Sequence, residues 1–168
     1  ASYITKTITL SANETASALA ELVTWDYIEE FIHENGFTNT TFNLYQSGGV
    51  TYTGTLQTTA SDVTKIINKL YDKELLSETS TDYFINQLNN QQLTYALNRG
   101  LTDEVFFAHK TGILDDVSHD AGVVTYNDKE YVVTVMSDGW SNASSEAGTI
   151  FDSVGSYVMV YLYNNKGE

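Results

Sequence analysis

The sequence predicts an α+β fold in which helices cover an antiparallel sheet. Apolar residues recur at helical spacing between residues 14 and 34 and again after residue 59. Three strand-like segments follow residue 104, and residues 141–163 return to helical spacing. This order of helices, three consecutive strands and a closing helix indicates a single antiparallel sheet rather than alternating strand–helix units.

Length and composition fit a single domain spanning residues 1–168. The net charge of −14, from 22 acids and 8 bases, argues against a nucleic-acid partner because phosphate neutralisation requires clustered Lys and Arg. The longest apolar run, "YVMVYLY" at 157–163, is too short for membrane insertion by this chain. Without cysteine, the chain has neither disulfides nor thiolate metal sites.

The first predicted elements are one or two amphipathic helices within residues 14–34. Acids alternate there with apolar residues at helical spacing, namely Ala16, Leu19, Leu22, Val23, Ile28 and Ile32. Residues 35–61 are rich in Thr, Asn and Gly and contain no acid or base. That composition predicts an extended surface connection.

The next helix is predicted to begin near Thr59. Thr59 and Asp62 resemble a capping box. The predicted buried stripe of this helix consists of Val63, Ile66, Ile67 and Leu70. Another short helix is expected from about Ser80 to Leu88.

Three segments carry the strand signal: "EVFFAHKTG", "GVVTYND" and "EYVVTVMSDG". The last two meet at Asn127 and Asp128, as the strands of a tight hairpin would. His119 and Asp120 fall ahead of the second strand. A closing helix from Ser141 to Tyr163 is expected to lie across the sheet, with an apolar face of Ile150, Phe151, Val154, Val158 and Leu162.

Several stretches of the chain together resemble one known family. They are "LSANETASALAEL", "TTASDVTKIINKLYDKELLSETSTDYFINQL", "AHKTGILDDVSHDAGVV" and "YVVTVMSDG". Lys-Thr-Gly alone is a weak signal, but here it lies on a predicted strand about a hundred residues after a Ser-x-Asn that opens a helix. In this order the stretches resemble the serine β-lactamase and penicillin-binding-protein family, nearest to class A β-lactamase-like proteins. The resemblance covers nearly the whole chain and implies that the three strands belong to a five-stranded sheet.

This resemblance implies a reaction in which a Ser hydroxyl attacks an amide carbonyl. The product is an acyl-enzyme, whose acyl group is then transferred to water or an amine, with no cofactor. In this chain Ser11 would relay a proton toward the leaving nitrogen. Asn13 would hydrogen-bond the side-chain amide of the substrate.

The second implied group lies around the Lys-Thr-Gly motif. Lys110 would supply a positive field for the substrate carboxylate, Thr111 a hydroxyl to the same group, and Gly112 would complete this substrate-binding motif. The backbone N–H of Ile113 would be one of two oxyanion donors. The implied catalytic set is therefore Ser11, Asn13, Lys110, Thr111 and Ile113.

The nucleophile motif of the family, Ser-x-x-Lys, does not occur in these 168 residues. Ser2 before Lys6 and Ser61 before Lys65 are each one residue too far apart. We therefore expect the domain to be N-terminally incomplete and the chain as printed to be inactive. The sheet edge left bare without the missing segment predicts a homodimer, strand exchange or association with that segment.

A second departure concerns deacylation. Class A β-lactamases use a Glu-activated water from a loop that corresponds to residues 35–61, and this stretch contains no Glu or Asp. A persistent acyl-enzyme, as in penicillin-binding proteins, is therefore expected.

Structural interpretations of the same residues remain open. Ser11 and Asn13 can simply cap a helix. His109, His119 and Asp120 are interpreted as structural, because no third ligand stands at zinc-like spacing, and no metal site is predicted.

Two functions of different classes follow. The first is a hydrolase or acyl-transferase acting on β-lactams or D-alanyl peptides. The second is a non-catalytic module that binds cell-wall peptide or a protein partner. In either case the resemblance implies a bacterial protein at an extracellular or cell-surface location.

Overall fold

A three-stranded antiparallel sheet lies at the centre of the computed structural model, with β3 (Phe106–Ile113), β4 (Ser118–Tyr126) and β5 (Lys129–Ser137) side by side in that order. The structure describes residues 2–42, 44–47, 50–53 and 57–165. Asn127 and Asp128, between the last two strands, adopt φ of 50° and 60°, as the tight turn of a hairpin requires. The predicted meander is thus confirmed, with strands β3 Phe106–Ile113, β4 Ser118–Tyr126 and β5 Lys129–Ser137.

Helices lie on both faces of this sheet and confirm the α+β class. One face carries α6 (Ala143–Asn164) and a short 3₁₀ helix (Leu97–Arg99). The other face carries α1 (Tyr3–Leu10), α4 (Ala60–Tyr71) and α5 (Glu78–Asn89). Beyond α1, the chain adds α2 (Asn13–Val23) and α3 (Trp25–Glu34), each packed on the helix before it.

Two apolar cores fix the sheet between these layers. On the α6 side, the core includes Phe107, Val124, Tyr126, Phe151, Met159 and Leu162. On the other side, it consists of Ala108, Ile8, Leu70 and Leu88. Because side chains alternate along a strand, Lys110 shares the α1 side with Ala108, whereas His109 and Thr111 share the α6 side with Phe107.

The predicted helices are all present, but α1 (Tyr3–Leu10) was not predicted, and some buried faces differ. Residues 14–34 form two helices that separate at Thr24, where φ is 71°. Leu22 is 78% exposed, and Ile66 is also exposed. Ile150 is 47% exposed, whereas Phe151, Val154, Val158 and Leu162 pack in the core as predicted. The buried residues of α6 include three small ones that the apolar pattern did not mark, Ala143, Ala147 and Gly155.

The segment 35–61 is not only an extended connection. It contains an antiparallel hairpin of β1 (Leu44–Ser47) and β2 (Val50–Thr53). Thr, Tyr and Val, which favour strands, supply most of these residues.

The predicted capping box of Thr59 and Asp62 forms only in part. The Thr59 hydroxyl does accept from the Asp62 N–H at 3.2 Å. The buried Asp62 carboxylate, however, accepts from the Asn39 N–H at 2.8 Å and the Thr40 hydroxyl at 2.9 Å. Its role is therefore to hold the start of the 35–61 segment rather than to complete the cap.

Strand β4 begins four residues earlier than the predicted "GVVTYND" segment. It starts at Ser118, so His119 and Asp120 lie inside the strand rather than ahead of it. As a result, both residues pair across β3, with Gly112 and Thr111 respectively.

Candidate active site

The structure brings Lys110 and Ser11 together. Lys110 lies on β3, and its Nζ donates to the Ser11 hydroxyl at 2.7 Å and to the Thr111 carbonyl at 2.6 Å. Ser11 follows α1 in the left-handed conformation, with φ 55° and ψ 37°. A non-glycine residue held in this conformation is uncommon and occurs often at functional sites.

The environment of Lys110 suits an anionic ligand. Burial lowers the pKa of the ammonium, and the charge of Asp120 acts against that effect. Among the described residues, Lys110 forms no salt bridge and its two hydrogen bonds go to neutral oxygens. An anionic group placed beside Lys110 would therefore not compete with a carboxylate partner among the described residues.

Ser11 and Asn13 do not act as side-chain N-caps. Ala12 is the N-cap of α2 and makes no side-chain cap bond, and Ser11 ends α1 through its backbone N–H. Asn13 is the exposed first residue of α2, close in sequence to the Ser11 contact. The interpretation that the Ser11 and Asn13 side chains cap a helix is therefore wrong.

Ile113 ends β3 at the open edge of the sheet. Leu114 N donates to Val117 O at 3.0 Å, and Ile113 pairs with Ser118 in the next position of the ladder. Because hydrogen-bonded and non-bonded pairs alternate in an antiparallel ladder, the Ile113 N–H points away from β4. This direction turns the N–H out of the sheet, and its role as an oxyanion donor stays a prediction.

Thr111 lies on the opposite face of the sheet from Lys110. It is 3% exposed, and its hydroxyl has no hydrogen-bond partner of ordinary geometry within the described part of the chain. Burial raises the pKa of the nearby Tyr95 hydroxyl, and Thr111 acts in the opposite direction. The structure thus brings Lys110 to Ser11 but does not bring the Thr111 hydroxyl to that pair.

Gly112 is next to Lys110 and has room for a larger side chain. A Cβ at this position would meet only the ring and Cβ of His119, at 3.8 and 3.9 Å. Packing therefore does not explain the glycine, and its substrate-binding role stays a prediction.

Sequence reasoning missed a buried pair behind β3. His109 Nδ1 and Asp120 Oδ1 are 2.7 Å apart, and Asp120 Oδ2 accepts from the Leu97 N–H at 3.0 Å. No local sequence signal marked this pair, because it forms through the β3–β4 register, which places Asp120 opposite Thr111. No group of three His, Asp or Glu side chains in the described ranges is arranged to hold a metal ion.

An open cleft of about 590 Å³ adjoins the end of β3. Its floor is fixed because Ala143 N donates to Asp115 O at 2.8 Å and Trp140 N donates to Asp116 O at 3.2 Å. The cleft does not include Lys110 and is lined by Ile113, Leu114, Asp115, Asp116, Asn142 and Ser144.

A family model described as "Beta-lactamase enzyme family" matches residues 2–162. Comparison with curated proteins gives no match. No helix in the described residues is both long enough and apolar enough to cross a bilayer.

Solved structures of longer proteins share the fold. A structure of PBP-A is 23% identical, with a TM-score of 0.81, and the match covers 95% of this chain and 60% of that one. The TLA-3 extended-spectrum beta-lactamase is 24% identical, with a TM-score of 0.83 and coverage of 95% and 63%. A beta-lactamase from Sphaerobacter thermophilus DSM 20745 is 20% identical, with a TM-score of 0.78 and coverage of 94% and 60%. The chain therefore spans about 60% of the length of these proteins.

Proposed function

The chain belongs to the beta-lactamase enzyme family, and on that premise we propose that it forms the carboxylate-binding and proton-relaying part of a serine acyl-transferring domain. The substrates would be β-lactams or D-alanyl peptides. One observation carries the proposal: the 2.7 Å contact between Lys110 Nζ and the Ser11 hydroxyl. It joins two residues 99 positions apart in the sequence at the site that both motifs imply.

The proposed reaction uses these residues in sequence. A serine hydroxyl from a Ser-x-x-Lys segment, which is not among these 168 residues, attacks the amide carbonyl. The Ile113 N–H stabilises the resulting oxyanion. As the C–N bond breaks, Ser11 relays to the leaving nitrogen the proton that the attacking serine has given up, and the acyl group stays on the attacking serine until water or an amine accepts it.

Lys110 binds the substrate in this scheme. Its ammonium pairs with the substrate carboxylate and keeps the Ser11 hydroxyl in place. Asn13 hydrogen-bonds the side-chain amide of the substrate. Because residues 35–61 contain no carboxylate to activate water, the acyl-enzyme is expected to persist.

Labelling of the longest natural form by a fluorescent penicillin tests this proposal. Lys110→Ala is expected to slow labelling by about 10- to 100-fold, because a charge-assisted hydrogen bond to the carboxylate is lost. Lys69→Ala is the matched control, since Lys69 pairs with Glu74 on the surface at 3.0 Å. Absence of labelling in the natural form, or equal rates for both variants, would contradict the proposal.

The second candidate is a non-catalytic binding module. The observation in its favour is that the Lys110–Ser11 contact forms in a chain without a Ser-x-x-Lys motif. Such a module would bind a D-alanyl peptide or a protein partner through the β3 edge. Reversible binding of N-acetyl-D-alanyl-D-alanine that is lost in Lys110→Ala, without labelling by penicillin, would favour it. For either function we propose a location outside the cytoplasmic membrane, where cell-wall peptides occur.

A further inference from the structure

The half-buried side chain of Gln91 lies between the helix that ends at Ser11 and the strand that carries Lys110. Its Nε2 donates to the Ile8 carbonyl of α1 at 2.8 Å and, at the long limit of 3.5 Å, to the His109 carbonyl of β3. His109 directly precedes Lys110 on the strand. Ile8 is in the last turn of α1, which Ser11 follows. One amide nitrogen therefore joins the two elements that supply the Lys110–Ser11 contact.

Backbone geometry leaves both carbonyl groups available to this amide. The last four carbonyls of a helix have no partner within the helix, and Ile8 carries one of these four in α1. His109 lies four residues before Ile113 on β3, so its backbone groups also point away from β4. The Gln91 amide thus supplies hydrogen bonds that the helix and the β3–β4 ladder leave open.

The other half of the same amide is bound as well. Gln91 Oε1 accepts from the Gln92 N–H at 2.9 Å and from the Leu93 N–H at 3.0 Å. The Gln92 N–H also donates to the Thr9 carbonyl at 3.1 Å, which ties this loop to the end of α1 a second time. Two donated and two accepted hydrogen bonds suit an amide, because a carboxylate only accepts and an ammonium only donates. The four contacts fix the orientation of the Gln91 side chain.

We propose that Gln91 is a positioning residue of the candidate site, whose amide sets the distance between the end of α1 and β3 and thereby holds the Ser11 hydroxyl against the Lys110 ammonium. Apolar packing brings the same two elements together, since Ile8 and Ala108 share one core. That packing is not directional, whereas hydrogen bonds require a narrow range of lengths and angles. The consequence for acylation rests on the proposed function, in which Ser11 and Lys110 act together.

NMR of the 168-residue chain tests this positioning role directly. The nuclear Overhauser effect between the Lys110 ε-CH₂ and Ser11 β-CH₂ protons reports their contact, because this signal falls steeply with distance. Gln91→Glu keeps the side-chain length and the accepting oxygen, but it turns a second oxygen toward the two carbonyls. The signal is expected to be lost in this variant. The matched control is Gln92→Glu, which adds the same charge on the exposed neighbouring residue and should leave the signal unchanged.

Each outcome of the NMR comparison supports or overturns the proposal. An unchanged signal in a folded Gln91→Glu chain would overturn it, and so would equal loss of the signal in Gln92→Glu. If Gln91→Glu does not fold, Gln91→Met, which has a similar length and adds no charge, serves for the same comparison. Failure of both Gln91 variants to fold would show that Gln91 acts on the fold as a whole, and would also overturn the proposal.

Penicillin labelling of the longest natural form separates this inference from the proposed function. Gln91→Glu is expected to slow labelling by about 10- to 100-fold, since a displacement of about 1 Å at a reacting group costs up to about 100-fold in rate. Unchanged labelling by a variant that has lost the NMR signal would contradict the role of Gln91 in the site. Absence of labelling in the unmodified natural form would contradict the proposed function without altering the NMR result.

Discussion

At the scale of single residues, the chemistry depends on one contact that motif spacing anticipated. Lys110 and Ser11 were predicted to share a site, and the structure places their side-chain atoms 2.7 Å apart. The Asp120–His109 pair was missed, because the two residues become neighbours only through the register of β3 on β4. A local pattern cannot fix that register, since a slip of one residue would send Asp120 to the other face.

Tyr71 gives a pH prediction at this scale. Burial, with a further contribution from Glu130, raises its pKa from 10.0 to about 12. A group whose pKa is raised on folding stabilises the native state fully below pH 10 and loses that contribution as pH rises toward 12. We expect a loss on the order of 1 kcal/mol over this range, reduced by partial exposure of the ring.

Urea unfolding between pH 9 and pH 12 measures this effect. Tyr71→Phe should flatten the fall in unfolding free energy, because it removes the titrating hydroxyl. Tyr157→Phe, which changes an exposed ring, should not. The account of Tyr71 would be wrong if both variants lost stability with pH as the unmodified chain does.

At the scale of elements, prediction succeeded where the signal was local. The Asn127-Asp128 turn and the three strands follow from turn chemistry and alternation. On α6, the predicted face was right for Phe151, Val154, Val158 and Leu162 and wrong for the exposed Ile150. The buried Gly155 was missed, because it packs there by virtue of its small size and carries no apolar side chain to mark it. Contacts between backbone atoms cannot be predicted from the spacing of apolar side chains in the sequence.

Two glycines of α6 provide a matched pair of variants. A Cβ on Gly155 would lie 2.7 Å from Gly100 Cα and 2.7 Å from Leu97 O, so Gly155→Ala should destabilise the fold by about 2 kcal/mol or more. A Cβ on Gly148 would meet only Arg99 Nε at 3.5 Å. Gly148→Ala should therefore stabilise by about 0.5–1 kcal/mol through helix propensity. Thermal unfolding of both variants measures the difference, and equal effects would contradict the close packing at Gly155.

At the scale of the whole molecule, the sequence predicted helices packed on an antiparallel sheet, because apolar residues recur at different spacings in helices and in strands. What the sequence could not give is which strand edges of the sheet have no partner strand. Strand β5 ends the sheet and has no partner strand on its outer side among the described residues. It is nine residues long, "KEYVVTVMS", and contains no proline. Edges of this kind tend to pair with another strand.

Self-association of the 168-residue chain is the prediction at this scale. Light scattering should give a mass above 18.7 kDa, and salt should favour association by screening the net charge of −14. The alternation of the ladder points the Val132 N–H outward. Val132→Pro should therefore reduce association, whereas Val132→Ala, which keeps that donor, should not. A strictly monomeric chain at every salt concentration would speak against pairing at β5.

The central claim is that Lys110 and Ser11 serve a nucleophilic serine supplied by a segment outside these 168 residues. Intact-mass spectrometry of the mature protein from its source cells, before and after incubation with benzylpenicillin, tests it most directly. The account predicts a mass clearly above 18.7 kDa that increases by one penicillin molecule. A mass near 18.7 kDa with no adduct would contradict the claim and favour the non-catalytic binding module.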